Sequence, residues 1–236
     1  YARQVVEQTN LLEERYKSHT ETRELFSVSS QHYAFVVNAF VSLLKRADMT
    51  RYELFLRETR TYEIIEDVKN FRSEIGVLFL NSYNRDVLTK MFDDNRLTYT
   101  SLFKARPHIF VSKSNPLAKH EVVSLEDLED FPYLSYDQGI HNSFYYSEEI
   151  LSQIPHKKSI VVSDRATLFN LLIGLDGYTI ATGILNSNLN GDNIVSIPLD
   201  IDDEIDIVYL KHEKATLSKM GEKFLDNLVK EVTFDN

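Results

Sequence analysis

A chain of 236 residues, 43% hydrophobic and 26% charged, has material for a sizeable core, in one large domain or two small α/β lobes. Its formal net charge of -10 and pI of about 5.2 argue against a grip of its own on the phosphate backbone of nucleic acid. The absence of cysteine excludes disulfides, thiolate catalysis and cysteine-bound zinc or iron–sulfur centres, and leaves the compartment open.

No apolar run is long enough to span a bilayer, and no signal peptide is visible. The first residue is Tyr1, so the chain reads as a fragment. Residues 1 to 16 carry Ala2, Val5, Thr9, Leu12 and Tyr16 at alternating steps of three and four, a short heptad-like seam. Two readings stand for it: the tail of a longer helix that joins an upstream part and pairs with its twin, or an ordinary amphipathic helix lying on the domain. Residues 17 to 23 are a polar linker.

The stretch from Glu24 to Arg46 opens on a strand-like run, Leu25-Phe26-Ser27-Val28, and closes on a helix whose stripe is Val36, Val37, Phe40, Val41 and Leu44. Ser29, Ser30, Gln31 and His32 lie between. Ser29 or Ser30 suits an N-cap. A strand, a hydroxyl–amide turn and a helix N-terminus together make a place for a small carboxylate or phosphate. Capping alone explains the same residues, and for one isolated turn it is the preferred reading. Recurrence of the unit later in the chain supports the docking reading.

Tyr52 to Arg57 alternates as a half-buried strand. Thr61 is the expected cap of a helix marked by Ile64, Ile65 and Val68. The nearly unbroken apolar run from Ile75 to Leu80 is expected to be a strand buried on both faces, which completes a βαβαβ layer. A helix over 84 to 94, strands over 97 to 104 and 108 to 112, and a capped turn of helix at Ser124 follow. Next come a strand over 132 to 136, a polar loop from Asp137 to Ser143 and a helix over 144 to 151. Strand 159–162, a helix capped by Ser163 and Asp164, the segment Gly174-Leu175-Asp176-Gly177 and strand 178–182 repeat the pattern. Strands near 194–199 and 205–210 and a terminal helix with Leu217, Met220, Phe224 and Leu228 complete the chain.

The ordered segments YARQVVEQ, LFSVSSQHYAFVVNAFVSLLKR, LRETRTYEIIEDVKNFRSEIGVLF, PHIFVSKSNPLAKHEVVSLEDLEDFPYLSYD and VVSDRATLFNLLIGLDGYTIATGIL resemble the effector-binding half of LysR-type transcriptional regulators with the end of their linker helix. Within the family they look most like the streptococcal regulators of methionine metabolism and capsule. The chain departs from many members at Val37-Asn38, where proline is common, and at Gly174-Leu175-Asp176-Gly177.

The resemblance implies two Rossmann-like α/β lobes hinged by crossing strands, of the periplasmic-binding-protein type II kind. It implies a linker and dimerisation helix over 1–22, one lobe from 23–104 with 186–236, and a second over 105–185. DNA contact would come only through a winged helix-turn-helix missing upstream. The implied protein is a cytoplasmic homodimer or homotetramer that uses no cofactor and no membrane and binds a small anionic or zwitterionic metabolite between its lobes. The first lobe would offer Ser29, Ser30, Gln31, Thr61 and Tyr62 to the effector. The second would offer His141, Asn142, Ser163 and Thr182. Helix ends at the carboxyl ends of strands agree with a site there.

No GxSxG, P-loop, GxGxxG or HExxH sequence is present, and the seven histidines lack metal-ligand spacing. Asp200 to Glu204 reads as a solvated turn and not as a calcium loop. The aromatic residues follow core stripes and do not alternate with basic ones, unlike a nucleic-acid stacking platform. Three classes of function compete: a ligand-sensing regulatory domain, the solute-binding protein of a transporter, and an enzyme on the same scaffold. Upstream sequence separates the first two, and no nucleophile paired with a base supports the third.

Overall fold

The structure is a computed structural model that describes residues 24–46, 52–185 and 192–233. The expected linker helix over 1–22 lies outside the described residues. In chain order the first layer is β1 (Glu24–Ser30), α1 (Ala34–Arg46), β2 (Tyr52–Glu58), α2 (Thr61–Lys69), β3 (Ile75–Leu80), α3 (Arg85–Asp94) and β4 (Leu97–Ala105). The second is β5 (His108–Ser112), β6 (Tyr133–Tyr136), β7 (Ser159–Val162), α4 (Arg165–Leu175), β8 (Tyr178–Ala181) and β9 (Ile194–Pro198). The chain then returns through β10 (Ile205–His212) to α5 (Lys219–Thr233).

Among the described residues two five-stranded sheets result, ordered β2-β1-β3-β10-β4 and β7-β6-β8-β5-β9. Within the first, β1 pairs in parallel with β2 and β3, and β10 runs antiparallel between β3 and β4. This is the two-lobed α/β arrangement of the periplasmic-binding-protein type II kind. The chain crosses between sheets twice, from Ala105 to His108 and from Pro198 to Ile205. The amide of Leu199 donates to the carbonyl of Pro107 at 3.0 Å and ties the two crossings together. By strand pairing the second crossing falls after Pro198, later than the boundary at 186 read from the sequence, because β9 pairs along β5.

Every residue of β3 is buried, and its alternation divides the first lobe's core. Ile75, Val77 and Phe79 face α1 and α5, whereas Leu78 and Leu80 join Ile64, Ile65 and Val68 of α2. Gly76 permits that close approach: a Cβ there would lie 2.8 Å from a methyl of Ile64 and 2.9 Å from one of Val68. On α1 the buried side chains are Ala34, Phe35, Val36, Asn38, Ala39 and Leu43. Val37, Val41 and Leu44 are only half-buried, so the stripe expected from the sequence covers more of the helix than its own lobe uses.

Several local expectations are corrected. β1 runs on through Ser29 and Ser30, and α1 starts only at Ala34, so neither serine caps it. Thr61 is the first residue of α2, after Arg60 at the cap position, which makes no side-chain capping bond. Asp164, not Ser163, caps α4 by accepting the amide of Thr167 at 2.8 Å. The left-handed residue after α4 is Asp176, with φ 51°, and Gly177 instead leaves room for Leu134 and the carbonyl of Pro132. The helix expected over 144–151 is a single 3-10 turn, Phe144–Tyr146, followed by turns.

Candidate functional site

The carboxyl ends of β1, β3 and β6 meet between the lobes. A small cavity of about 50 Å³ lies there. His32, Phe35 and Phe79 line it from the first lobe, and Tyr136, Glu149 and Arg165 are among the second lobe's contributions.

Gln31 is the hub on the first-lobe side. It is fully buried, its Nε2 donates to Thr61 Oγ1 at 2.6 Å, and its Oε1 accepts from the Tyr33 hydroxyl at 2.6 Å and the Phe79 amide at 3.0 Å. Each bond holds a different element, β3 through Phe79, α2 through Thr61 and the approach to α1 through Tyr33. Gln31 therefore braces the wall of the cleft.

Ser29 turns away from that wall, bonded to Asp67 Oδ2 at 2.6 Å and Ser73 Oγ at 2.7 Å. The Ser30 hydroxyl is buried without a partner among the described residues. Thr182 lines the cavity, whereas Asn142 and Ser163 are exposed. Tyr62 and His141 stack on each other with centroids 3.5 Å apart, and Tyr146 meets Tyr62 edge-on. The structure thus brings Gln31, Thr61, Tyr62 and His141 into one inter-lobe seam and leaves Ser29, Asn142 and Ser163 outside it.

The groups that close the seam carry no sequence motif. Glu148 Oε2 accepts the amide of His32 at 2.9 Å and bonds its Nδ1 at 2.8 Å, while Glu148 Oε1 accepts Gln138 Nε2 at 3.0 Å. The Thr61 amide donates to Gln138 Oε1 at 3.2 Å. Arg60 pairs with the Asp137 carboxylate and donates from Nε to the Asp137 carbonyl at 3.0 Å. Gly139, at φ 61°, leaves space for that guanidinium. Arg165 reaches back to Glu58 at 3.2 Å, and Tyr83 stacks on Tyr145 at 4.9 Å. The first-lobe amides of His32 and Thr61, which could have met an anionic effector, are thus occupied by Glu148 and Gln138.

Electrostatics follow from burial. Desolvation works against the imidazolium of His32, but its bond to Glu148 and the charges of Glu148 and Glu58 outweigh it and raise its pKa. Burial, then the charge of Glu148, push Glu149 well above the usual carboxylate range against the pull of nearby amides. Burial likewise raises Glu58, opposed by Arg165 and His32.

A raised histidine contributes stability that is complete below the unfolded value of about 6.5 and is lost as pH rises through the folded value. Raised carboxylates act in the same direction, since their protonated forms are the cheaper ones to bury and fill as pH falls. The domain is therefore expected to be more stable near pH 6 than near pH 8, with His32 among the groups responsible. Thermal unfolding of wild type and His32→Gln across that window checks this. An equal pH slope in the two proteins would remove His32 from the account.

A family model described as the LysR substrate binding domain matches residues 29–233. The chain belongs to that family. Solved structures agree on the fold at low identity. Full-length OxyR from Pseudomonas aeruginosa is 14% identical, with 96% of this chain and 77% of that one covered and a TM-score of 0.62. The effector-binding domain of QuiR in complex with shikimate is 16% identical, with coverages of 89% and 97% and a TM-score of 0.58. The C-terminal domain of a LysR family regulator from a Rhodococcus species is 13% identical, with coverages of 88% and 99% and a TM-score of 0.60. No curated protein matches the chain.

For a LysR substrate-binding domain, the cleft at the strand ends is where the two lobes can grip one small molecule. The residues that sequence reasoning missed there are Glu58, Arg60, Tyr136, Glu148, Glu149 and Arg165, whereas Asp137 and Gln138 open the polar loop already expected to contribute. The Asp137 to Ser143 loop was the one signal that pointed near them. Among the described residues no cluster of His, Asp and Glu is arranged to hold a metal ion, and no helix is long and apolar enough to cross a membrane.

Proposed function

We propose that this LysR domain senses a small metabolite between its lobes and passes the change to the geometry of a dimer or tetramer in a cytoplasmic transcriptional regulator. DNA would be held by a winged helix-turn-helix upstream of this chain. The observation that carries the reading is the inter-lobe seam, where His32–Glu148, Arg60–Asp137 and Tyr62–His141 close one lobe on the other across a small cavity. A ligand that favours one lobe arrangement shifts its population and biases whatever is attached. The role is regulatory and not enzymatic. The alternative of a transporter's solute-binding protein finds no support in the family match or in the structural neighbours, which are LysR-type regulators.

The effector expected from the sequence is anionic or zwitterionic. With the His32 and Thr61 amides already occupied, the cleft favours the zwitterion. Resemblance to the streptococcal methionine and capsule regulators makes sulfur-containing amino acids the first compounds to try. Any compound that raises the domain's melting temperature should also alter the operator footprint of the full-length protein. A compound that stabilises the domain and leaves the footprint unchanged argues against the reading.

For the dimer we propose that α1 of one subunit lies antiparallel beside α4 of its partner. Val37, Val41 and Leu44 are incompletely covered on α1, and on α4 Ile173 and Leu175 are 43% and 48% exposed. Helices apolar on more than one side need more cover than one lobe supplies. Wild type is expected to sediment as a dimer at micromolar concentration and Ile173→Glu as a monomer. A monomeric wild type would overturn the proposed interface.

A further inference from the structure

We propose that the effector of this cleft carries a protonated amine, held by the carboxylate of Glu149, with an apolar group packed against the rest of the wall. The inference rests on the sensing role proposed above and names the chemical class of its ligand.

Glu149 is 3% exposed and lines the cavity. One carboxylate oxygen, Oε1, accepts the Tyr136 amide at 2.9 Å. The other, Oε2, is buried and has no hydrogen-bond partner among the described residues, although the amides of Glu148 and Glu149 also pull on the carboxyl. A buried acceptor left in that condition costs free energy that a donor from outside would recover.

The cleft's own cations do not supply it. Arg165 is turned to Glu58, and His32 is turned to Glu148. Glu148 is fully engaged by His32 and Gln138, so it adds negative potential beside Glu149 without needing a ligand. The missing complement is a compact cation that donates hydrogen bonds. An ammonium fits, because it carries three donors and no acceptor. Thr179 and Thr182 stand on the same cavity wall with hydroxyl oxygens. Phe35, Phe79, Phe110, Leu168 and Ile180 make much of the remainder apolar, which suits a hydrocarbon portion next to the amine.

The proton balance gives the idea a second readout. Burial, then the charge of Glu148, raise the pKa of Glu149 and favour its neutral form in the empty cleft. Entry of an ammonium favours the carboxylate, so a proton held on the carboxyl leaves to the buffer. The other ionisable groups around it are Tyr33, Tyr133 and Tyr136, with Glu58, Arg165 and His32 beyond. The three tyrosines are held neutral by burial and contribute no proton.

The test uses four five-carbon probes on the domain: n-pentylamine, norvaline, pentanoate and 1-pentanol, each at millimolar concentration. The two amines should raise the melting temperature, and pentanoate and pentanol should not. Calorimetry of the better amine in buffers of different ionisation enthalpy should show net proton release. Glu149→Gln keeps an oxygen for the Tyr136 amide and should fold, lose the amine response and lose the proton release. Pentanoate matching the amines, a full amine response in Glu149→Gln, or no shift with either amine would each overturn the proposal. An operator footprint of the full-length protein that responds to a compound without an amine would overturn this ligand class and leave the sensing role standing.

Discussion

Gln31→Ala is expected to lower the unfolding free energy by about 3–5 kcal/mol, because it strips partners from several buried groups at once. The Phe79 amide, the Tyr33 hydroxyl and the Thr61 hydroxyl all bond the Gln31 side chain. Phe79 and Thr61 are buried with it, so water does not readily replace what is lost. Each orphaned group costs about 1–3 kcal/mol. Urea denaturation measures the sum. Thr61→Val, alone and combined with Gln31→Ala, isolates the Gln31–Thr61 bond, and a coupling of about 0.5–3 kcal/mol is expected for two groups in direct contact. A loss below about 1 kcal/mol in Gln31→Ala would mean that neighbouring groups or water satisfy the network, since one orphan alone should exceed that. The substitution should also weaken any ligand response of the cleft, because the same bonds fix the starts of α1 and α2 that face the second lobe.

Phe224→Ala is expected to cost a similar amount, about 3–5 kcal/mol, by a different route. Phe224 is wholly buried on α5, with its ring centroid 5.6 Å from that of Phe26 and 6.4 Å from that of Phe40. It pins α5 to α1 and to β1. Truncation leaves a cavity walled by aromatic rings that cannot easily close over it. The denaturation midpoint should fall with an unchanged slope. The ligand response should survive below that midpoint, because Phe224 does not line the cleft. A cost below about 1.5 kcal/mol would show that α5 settles into the space, as happens at sites that collapse well. Together the two variants separate general stability from the polar frame of the site.

Much of the fold was legible because its signals are local. The apolar run of β3, the periodicity of α1 and α2, and the order of strands and helices all follow from side-chain repeat and burial. Misreadings arose where two local signals competed. Ser29 and Ser30 look like a cap, but the pairing of β1 with β2 continues through them to Arg57 and Glu58 and keeps the chain extended. The apolar stretch after Ser143 looks like a helix, yet Glu148 turns to His32 and Glu149 to the Tyr136 amide, and the backbone leaves helical geometry after one turn.

What the sequence by itself determined is the class of protein: two α/β lobes without catalytic or metal-binding signatures, acidic, and ordered like a LysR substrate-binding domain. It also named Gln31, Thr61, Tyr62 and His141 as candidate effector contacts, and these fall in the inter-lobe seam without lining the cavity. Tertiary structure alone decided what those residues touch. His32 and Glu148 are 116 positions apart, and Arg60 and Asp137 are 77 apart. Hydrophobic periodicity records which face of an element is buried, and it carries no information about which distant polar group that face will meet. The pairing across the seam arises only where the two sheets close on each other.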